Sequence, residues 1–136
     1  MMLYFAYGSN LNIFQMKRRC KDSIFLKKYE LKGFRLNFRS KYRAADIEKK
    51  SSAIVPGALF EISKSDEKKL DVYEDFPVLY KKMYFKYYNK KVMTYIMSKK
   101  TQFRYPTDRY LNIIKQGYKD CNLDKKFLIK ALQIIK

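Results

Sequence analysis

An apolar stretch near the N-terminus ends abruptly at three small polar residues. The chain begins MMLYFAYGSNLN, so residues 2–6 predict a short buried strand and Gly8, Ser9 and Asn10 predict the turn that ends it. A helix should follow, with Asn10 or Asn12 as its cap. The backbone N–H groups of such a turn, backed by the positive end of the helix dipole, suit a carboxylate, a phosphate or an oxyanion. The same residues are also typical of an ordinary turn.

The remaining elements place the chain in the α+β class. The predicted strands and helices cover residues 23–31, 34–39, a hairpin within 43–63, a short helix from 63, a hairpin at 80–88 and 91–97, and helices at 107–119 and 124–135. The first hairpin is expected to turn near residues 49–52, with a bulge or bend at 55–57. No linker interrupts the 136 residues, so we expect a single domain over 1–136. Its mainly antiparallel sheet is expected to curl into a small β-barrel with flanking helices.

The sequence also predicts the buried face of the first helix and the end of a later one. The helix after the first turn should bury Ile13, Phe14, Met16 and Cys20. Gly117 or Asn122 is expected to end the helix that begins near residue 107, because both residue types are common where a helix stops.

The charge of the chain is strongly positive. It contains 31 Lys and Arg against 13 Asp and Glu, a formal net charge of +18. One interpretation is a polyanionic partner, such as nucleic acid or an anionic membrane surface. The other is a solvated surface, which the scattered lysine doublets favour because charge spread along a chain is usually solvated. We keep nucleic-acid binding as the alternative to catalysis.

The absence of histidine excludes several kinds of site. Histidine general bases, histidine metal ligands and Ser-His or Cys-His catalytic pairs are all ruled out. Cys20 and Cys121 are too few and too far apart for a disulfide framework or a zinc site, so no metal is expected. No stretch approaches the length of a membrane span and no signal peptide is recognisable, which predicts a cytoplasmic protein without a membrane partner.

One acidic residue is a candidate acid or base. Glu74 lies where the short helix should end, among Val72, Tyr73 and Phe76. A carboxyl group held among apolar side chains tends to have a raised pKa, which makes it a better base near neutral pH. A solvated glutamate at a helix end is the alternative interpretation. Asp75 should point into solvent, because neighbours along a chain seldom share a face.

Together these motifs resemble a known family. The stretches YFAYGSNL at 4–11 and LDVYE at 70–74 resemble the γ-glutamylcyclotransferase family, which includes γ-glutamylamine cyclotransferases and plant AIG2-like proteins. Further similar stretches are FRLNF at 34–38, VPGALFEIS at 55–63, TYIM at 94–97 and PTDRYLNIIKQGYKDCNL at 106–123. The resemblance implies a small antiparallel β-barrel with flanking helices. It also implies conversion of a γ-glutamyl amide into 5-oxoproline and a free amine.

The resemblance assigns roles to residues at the matching positions. Glu74 matches the general acid/base. The residues that match the substrate-binding set are Tyr7, Gly8, Ser9, Asn10, Leu11, Tyr80 and Tyr110. The reaction implied needs a small-molecule γ-glutamyl substrate and no metal or organic cofactor, and a homodimer is compatible with it. Residues 39–54 and Thr107 depart from the family pattern, so the amine that is released stays open, as does an unexpected amide substrate.

Overall fold

The computed structural model describes residues 1–135, which form five strands and four helices in an α+β arrangement. The strands are β1 (Met2–Ala6), β2 (Ile24–Arg39), β3 (Ala44–Ile62), β4 (Tyr80–Tyr87) and β5 (Lys90–Met97). The helices are α1 (Ile13–Arg19), α2 (Lys64–Tyr73), α3 (Asp108–Asp120) and α4 (Lys126–Gln133), with a 3-10 turn at Ser9–Leu11. The predicted α+β class is therefore confirmed. None of the helices within residues 1–135 is long and apolar enough to cross a membrane.

All five strands form one sheet in the order β2-β3-β1-β5-β4. The short strand β1 lies at its centre, antiparallel to β3 and parallel to β5, while the other neighbouring pairs are antiparallel. Over residues 1–135, no backbone ladder joins the edge strands β2 and β4. The sheet is open, and the predicted closure into a barrel is not found.

The two edges of this open sheet nevertheless meet through aromatic side chains. Tyr29 of β2 stacks on Phe85 of β4 with ring centroids 5.9 Å apart, and Tyr87 contacts Tyr29 edge-on. Phe5 of β1 packs edge-on against both Tyr29 and Phe85. The sheet is thus coiled enough for its edge strands to cover a shared core. Burial of these rings stabilises the contact between β2 and β4, which backbone hydrogen bonds would join in a closed barrel.

Strands β2 and β3 form one long antiparallel hairpin that turns at residues 40–43. The predicted turn near 49–52 is wrong, because β3 pairs with β2 on both sides of that segment. Residues 50–53 instead bulge out opposite Gly33. Gly33 has a φ of +84°, a backbone conformation that costs glycine little, and it allows the two long strands to bend together.

The predicted bulge at residues 55–57 is also absent, since β3 pairs with β2 without interruption there. Gly57 is explained by close packing instead. A Cβ atom at this position would lie 2.6 Å from the ring of Phe5 and would collide with the backbone oxygen of Ala6. Glycine therefore lets β3 lie directly against the central strand.

Helices α1 and α3 pack around the turn that follows β1. The side chain of Asn12 caps α1 by accepting a hydrogen bond from the Gln15 N–H at 3.1 Å, as one of the two predicted caps. Met16 and Cys20 are buried as predicted, but Phe14 is 69% exposed, so that prediction was wrong. Phe14 lies on the side of α1 opposite to Met16, and a helix of only seven residues has room for only a narrow buried face.

Gly117 lies inside α3 rather than at its end. Asn122 takes the left-handed conformation just beyond the helix, with a φ of 57°. A Cβ atom at Gly117 would lie 2.6 Å from the Cβ atom of Leu11 and 2.7 Å from the backbone nitrogen of Asn12. The glycine therefore allows α3 to contact the backbone that follows the first turn.

We expect Gly117→Ala to destabilise the fold by about 1 to 3 kcal/mol, because its methyl group would overlap the backbone near Leu11. The higher helix propensity of alanine opposes this loss only in part. Asn112→Ala on the exposed face of α3 is the matched control, since it raises helix propensity without a collision. Urea unfolding measures both variants, and equal stabilities for Gly117→Ala and the wild-type protein would contradict the packing described here.

Candidate active site

A cavity of about 480 Å³ opens where β1 ends. It lies between the turn after β1, the start of β3, the end of α2 and the aromatic side chains of β4, β5 and α3. Its lining residues are Tyr4, Tyr7, Gly8, Ser9, Asn10, Tyr42, Ala44, Ala45, Val72, Tyr73, Glu74, Asp75, Leu79, Tyr80, Tyr95 and Tyr110. The fold therefore brings together every predicted site residue except Leu11. Leu11 is fully buried in the core, and its N–H group donates to the Gly8 carbonyl oxygen at 3.0 Å.

The turn after β1, which we call loop 8–11, presents backbone donors to the cavity. Over residues 1–135, no acceptor is found for the N–H groups of Gly8, Ser9 and Asn10. Ser9 and Asn10 are themselves buried, so these donors lie in a partly desolvated place. Buried N–H groups normally have a partner, and these three are consequently available to a ligand that carries negative charge.

Gly8 is small because loop 8–11 lies against two neighbouring elements. A Cβ atom at Gly8 would be 3.2 Å from the Cβ atom of Ala45 and 3.5 Å from the hydroxyl oxygen of Tyr110. Any larger residue would press on β3 and narrow the cavity between the loop and α3. The glycine thus keeps backbone accessible to a ligand.

Three tyrosines of the lining are fixed by hydrogen bonds to the backbone. The hydroxyl of Tyr7 donates to the Tyr95 carbonyl oxygen at 2.6 Å, and that of Tyr80 donates to the Ala45 carbonyl oxygen at 2.5 Å. Tyr110 accepts from the Ala45 N–H at 3.0 Å. Burial raises the pKa of all three phenols, so they stay neutral and shape the cavity without acting as bases.

Glu74 lies directly after α2, where its backbone N–H closes the helix on the Leu70 carbonyl oxygen at 2.8 Å. Its side chain is partly buried, and within residues 1–135 no hydrogen bond or ion pair to its carboxylate is found. Burial raises the pKa of Glu74 to about 7, although the positive charge of Arg19 lowers it somewhat. At neutral pH this carboxyl group can therefore both accept and give up a proton. Asp75 is exposed, as expected from the sequence, but it also belongs to the cavity lining beside Glu74.

The sequence did not indicate Tyr4, Tyr42, Tyr73 and Tyr95 as lining residues. Tyr4 belongs to the quoted YFAYGSNL motif, but its position within a predicted buried strand suggested only a core role. Tyr95 reaches the cavity from β5 and donates its hydroxyl to the Asp71 carboxylate at 2.6 Å. Because such contacts join residues far apart in the chain, no local sequence pattern predicts them.

The lining combines the desolvated Glu74 carboxyl group and the exposed Asp75 side chain with a set of free N–H groups, and no Lys or Arg of residues 1–135 belongs to it. Such an arrangement can hold an anionic or polarised carbonyl group at the N–H groups while a proton moves at Glu74. In the described part of the chain, no cluster of three Cys, Asp or Glu residues is arranged to hold a metal ion.

Comparisons with known proteins agree with this geometry. The family model "Gamma-glutamyl cyclotransferase, AIG2-like" matches residues 4–117. A solved structure named "Gamma-glutamyl cyclotransferase" has a TM-score of 0.77 at 25% identity, over 99% of this chain and 88% of that chain. An uncharacterised human protein has a TM-score of 0.79 at 26% identity, with the same coverage.

A third structure, YkqA from Bacillus subtilis, shares the fold with a TM-score of 0.80 at 21% identity, over 98% of this chain and 55% of that chain. A search of curated protein sequences found no match. The family model spans most of the chain, including loop 8–11 and Glu74. The chain therefore belongs to the AIG2-like gamma-glutamyl cyclotransferase family.

Proposed function

We propose that the protein is an active γ-glutamyl cyclotransferase that converts a γ-glutamyl amide into 5-oxoproline and a free amine. The α-amino nitrogen of the substrate attacks its own γ-carbonyl carbon, which forms the five-membered ring. The bond from that carbon to the amide nitrogen then breaks, and the amine leaves. The observation that carries this proposal is the position of Glu74, with its pKa of about 7, in the same cavity as the free N–H groups of loop 8–11.

Glu74 serves as the general acid/base in this proposal. The substrate amino group is protonated at neutral pH and must lose a proton before it can attack. The ionised Glu74 accepts that proton and delivers it to the leaving nitrogen, and it then accepts the second proton, which the ring nitrogen loses after its attack. One carboxyl group thus serves every transfer, and its last proton passes to solvent or to the released amine. A pKa close to the working pH suits both directions of transfer.

Loop 8–11 stabilises negative charge on the substrate. The N–H groups of Gly8, Ser9 and Asn10 can donate to the γ-carbonyl oxygen, which gains negative charge as the ring forms. These donors are fixed by the short 3-10 turn, so little reorganisation accompanies the reaction. Because the nucleophile belongs to the substrate, the tyrosine-lined cavity contributes mainly by folding the glutamyl chain for ring closure.

The leaving amine is expected at the mouth of the cavity. Val72 and Tyr42 are 82% and 56% exposed, and both belong to the lining. A glutamyl group bound to loop 8–11 would direct its amide substituent toward these residues. Contacts there should decide between γ-glutamyl amino acids and γ-glutamylamines.

Purified protein should release 5-oxoproline from at least one of γ-glutamyl-alanine, glutathione and ε-(γ-glutamyl)-lysine, as measured by chromatography. Glu74→Gln should lower turnover at least about a hundredfold, because it keeps the shape of the side chain and removes the base. Glu30→Gln, an exposed residue of β2, is the matched control and should retain full activity. Failure of the wild-type protein on all three substrates would contradict the proposed function.

The pH dependence of kcat/KM should report the ionisation of Glu74. Because burial raises its pKa to about 7, the active ionised form is lost as the pH falls below that value. We expect kcat/KM to decline tenfold per pH unit below about pH 7. A decline that begins only near pH 4.5, the ordinary pKa of glutamate, would show that the carboxyl group is not desolvated.

The same pKa shift predicts an effect on stability. The folded state holds the Glu74 proton more tightly than the unfolded state, so ionisation destabilises the fold as the pH rises from about 4.5 to 7. Glu74→Gln should therefore be more stable than the wild-type protein above pH 7, by on the order of 2 kcal/mol. The difference should vanish below pH 4.5. Thermal unfolding across this range measures it, and a constant difference at all pH values would argue against a titration effect.

A further inference from the structure

Arg19, the last residue of α1, connects two parts of the candidate site without lining the cavity itself. Its guanidinium carbon lies 3.4 Å from the ring centroid of Tyr73, which directly precedes Glu74. Its Nη1 atom donates to Oδ1 of Asn10 at 2.5 Å. One partly buried cation therefore contacts both loop 8–11 and the end of α2.

Further hydrogen bonds reinforce this connection. The Ser9 hydroxyl lies 3.0 Å from the hydroxyl oxygen of Tyr73, so the Tyr73 ring is held at its face by Arg19 and at its edge by Ser9. The amide nitrogen of Asn10 donates to the Tyr4 hydroxyl at 3.0 Å. Because Asn10 uses its oxygen for Arg19 and its nitrogen for Tyr4, its side chain has a single orientation.

We propose that Arg19 is a positioning residue for the cyclisation: by bonding to Asn10 and stacking on Tyr73, it fixes loop 8–11 relative to Glu74. This proposal rests on the proposed function for its effect on catalysis, but its physical basis can be measured independently. A planar guanidinium stacks on an aromatic ring and donates in its own plane at the same time, whereas a lysine ammonium group cannot make both contacts in this geometry.

Arg19 also acts electrostatically on Glu74. The groups that face the Glu74 carboxyl from β1, the residue that follows it, β4, β5 and α3 are phenols whose pKa is raised by burial, so they carry no charge at neutral pH: Tyr4, Tyr7, Tyr80, Tyr95 and Tyr110. Asp75 follows Glu74 but is exposed. Arg19 is the cation whose charge opposes the effect of burial on the pKa of Glu74. Its removal should raise that pKa.

The test compares Arg19→Gln, Arg19→Lys and Arg18→Gln. Arg18 is exposed on the same helix and stacks on Phe14, so its replacement matches the charge change of Arg19→Gln away from the site. Four quantities are measured for each folded variant. They are the pKa of Glu74 by carbon-detected NMR, the amide hydrogen exchange rate at Glu74, and kcat and KM for 5-oxoproline release.

In Arg19→Gln, we expect the pKa of Glu74 and the acid limb of kcat/KM to rise together by about one unit. In Arg19→Lys, the pKa should stay near that of the wild-type protein. Its kcat should nevertheless fall tenfold or more, with faster exchange at Glu74, since small misplacements of reacting groups reduce rates steeply. Arg18→Gln should change none of these quantities.

If Arg19→Lys kept the kcat and the Glu74 exchange rate of the wild-type protein, the positioning role of Arg19 would be overturned. This variant alone tests the positioning role if Arg19→Gln does not fold. An unchanged Glu74 pKa in a folded Arg19→Gln would overturn the electrostatic effect of Arg19 on Glu74. If the wild-type protein released no 5-oxoproline, the proposed function would fail, while the NMR and exchange measurements would still decide whether Arg19 holds Glu74 and loop 8–11 together.

Discussion

Hydrogen bonding on both sides of β1 is the constraint on which the site depends. Pairing with β3 and β5 fixes this central strand, and the chain can leave the sheet only at its end, where loop 8–11 begins. Gly57 allows β3 to lie against this strand, and Gly117 allows α3 to approach the backbone at Leu11 and Asn12. The backbone donors of loop 8–11 are thereby held at the edge of a rigid sheet, a suitable place for precise binding.

The second constraint is the placement of a carboxyl group in an apolar environment. Glu74 lies at the end of α2 among neutral tyrosines, and its carboxylate has no hydrogen-bond partner within residues 1–135. Desolvation of such a group opposes folding when it is ionised. A core residue selected for stability alone would not be a glutamate. The proposed acid/base role gives a reason for a residue that otherwise weakens the fold.

Local patterns predicted loop 8–11, Glu74 and most of the elements, because strand ends, helix caps and apolar spacing are properties of short segments. They missed the long β2–β3 hairpin, since Gly33 and residues 50–53 were interpreted as ends of strands instead of a bend within a pair. They also missed the contact between Tyr73 and Arg19, which joins residues more than fifty positions apart. The extent of sheet closure depends on side chains such as Tyr29 and Phe85, which meet only in the folded chain.

The central claim is that loop 8–11 and Glu74 form one site for a glutamyl group. A crystal structure of the protein with 5-oxoproline bound tests it most directly. We expect the product in the cavity, with an oxygen atom within hydrogen-bond distance of the N–H groups of Gly8, Ser9 or Asn10 and a ring atom adjacent to the Glu74 carboxyl group. Binding elsewhere on the protein, or binding in the cavity without contact to either Glu74 or loop 8–11, would contradict the claim.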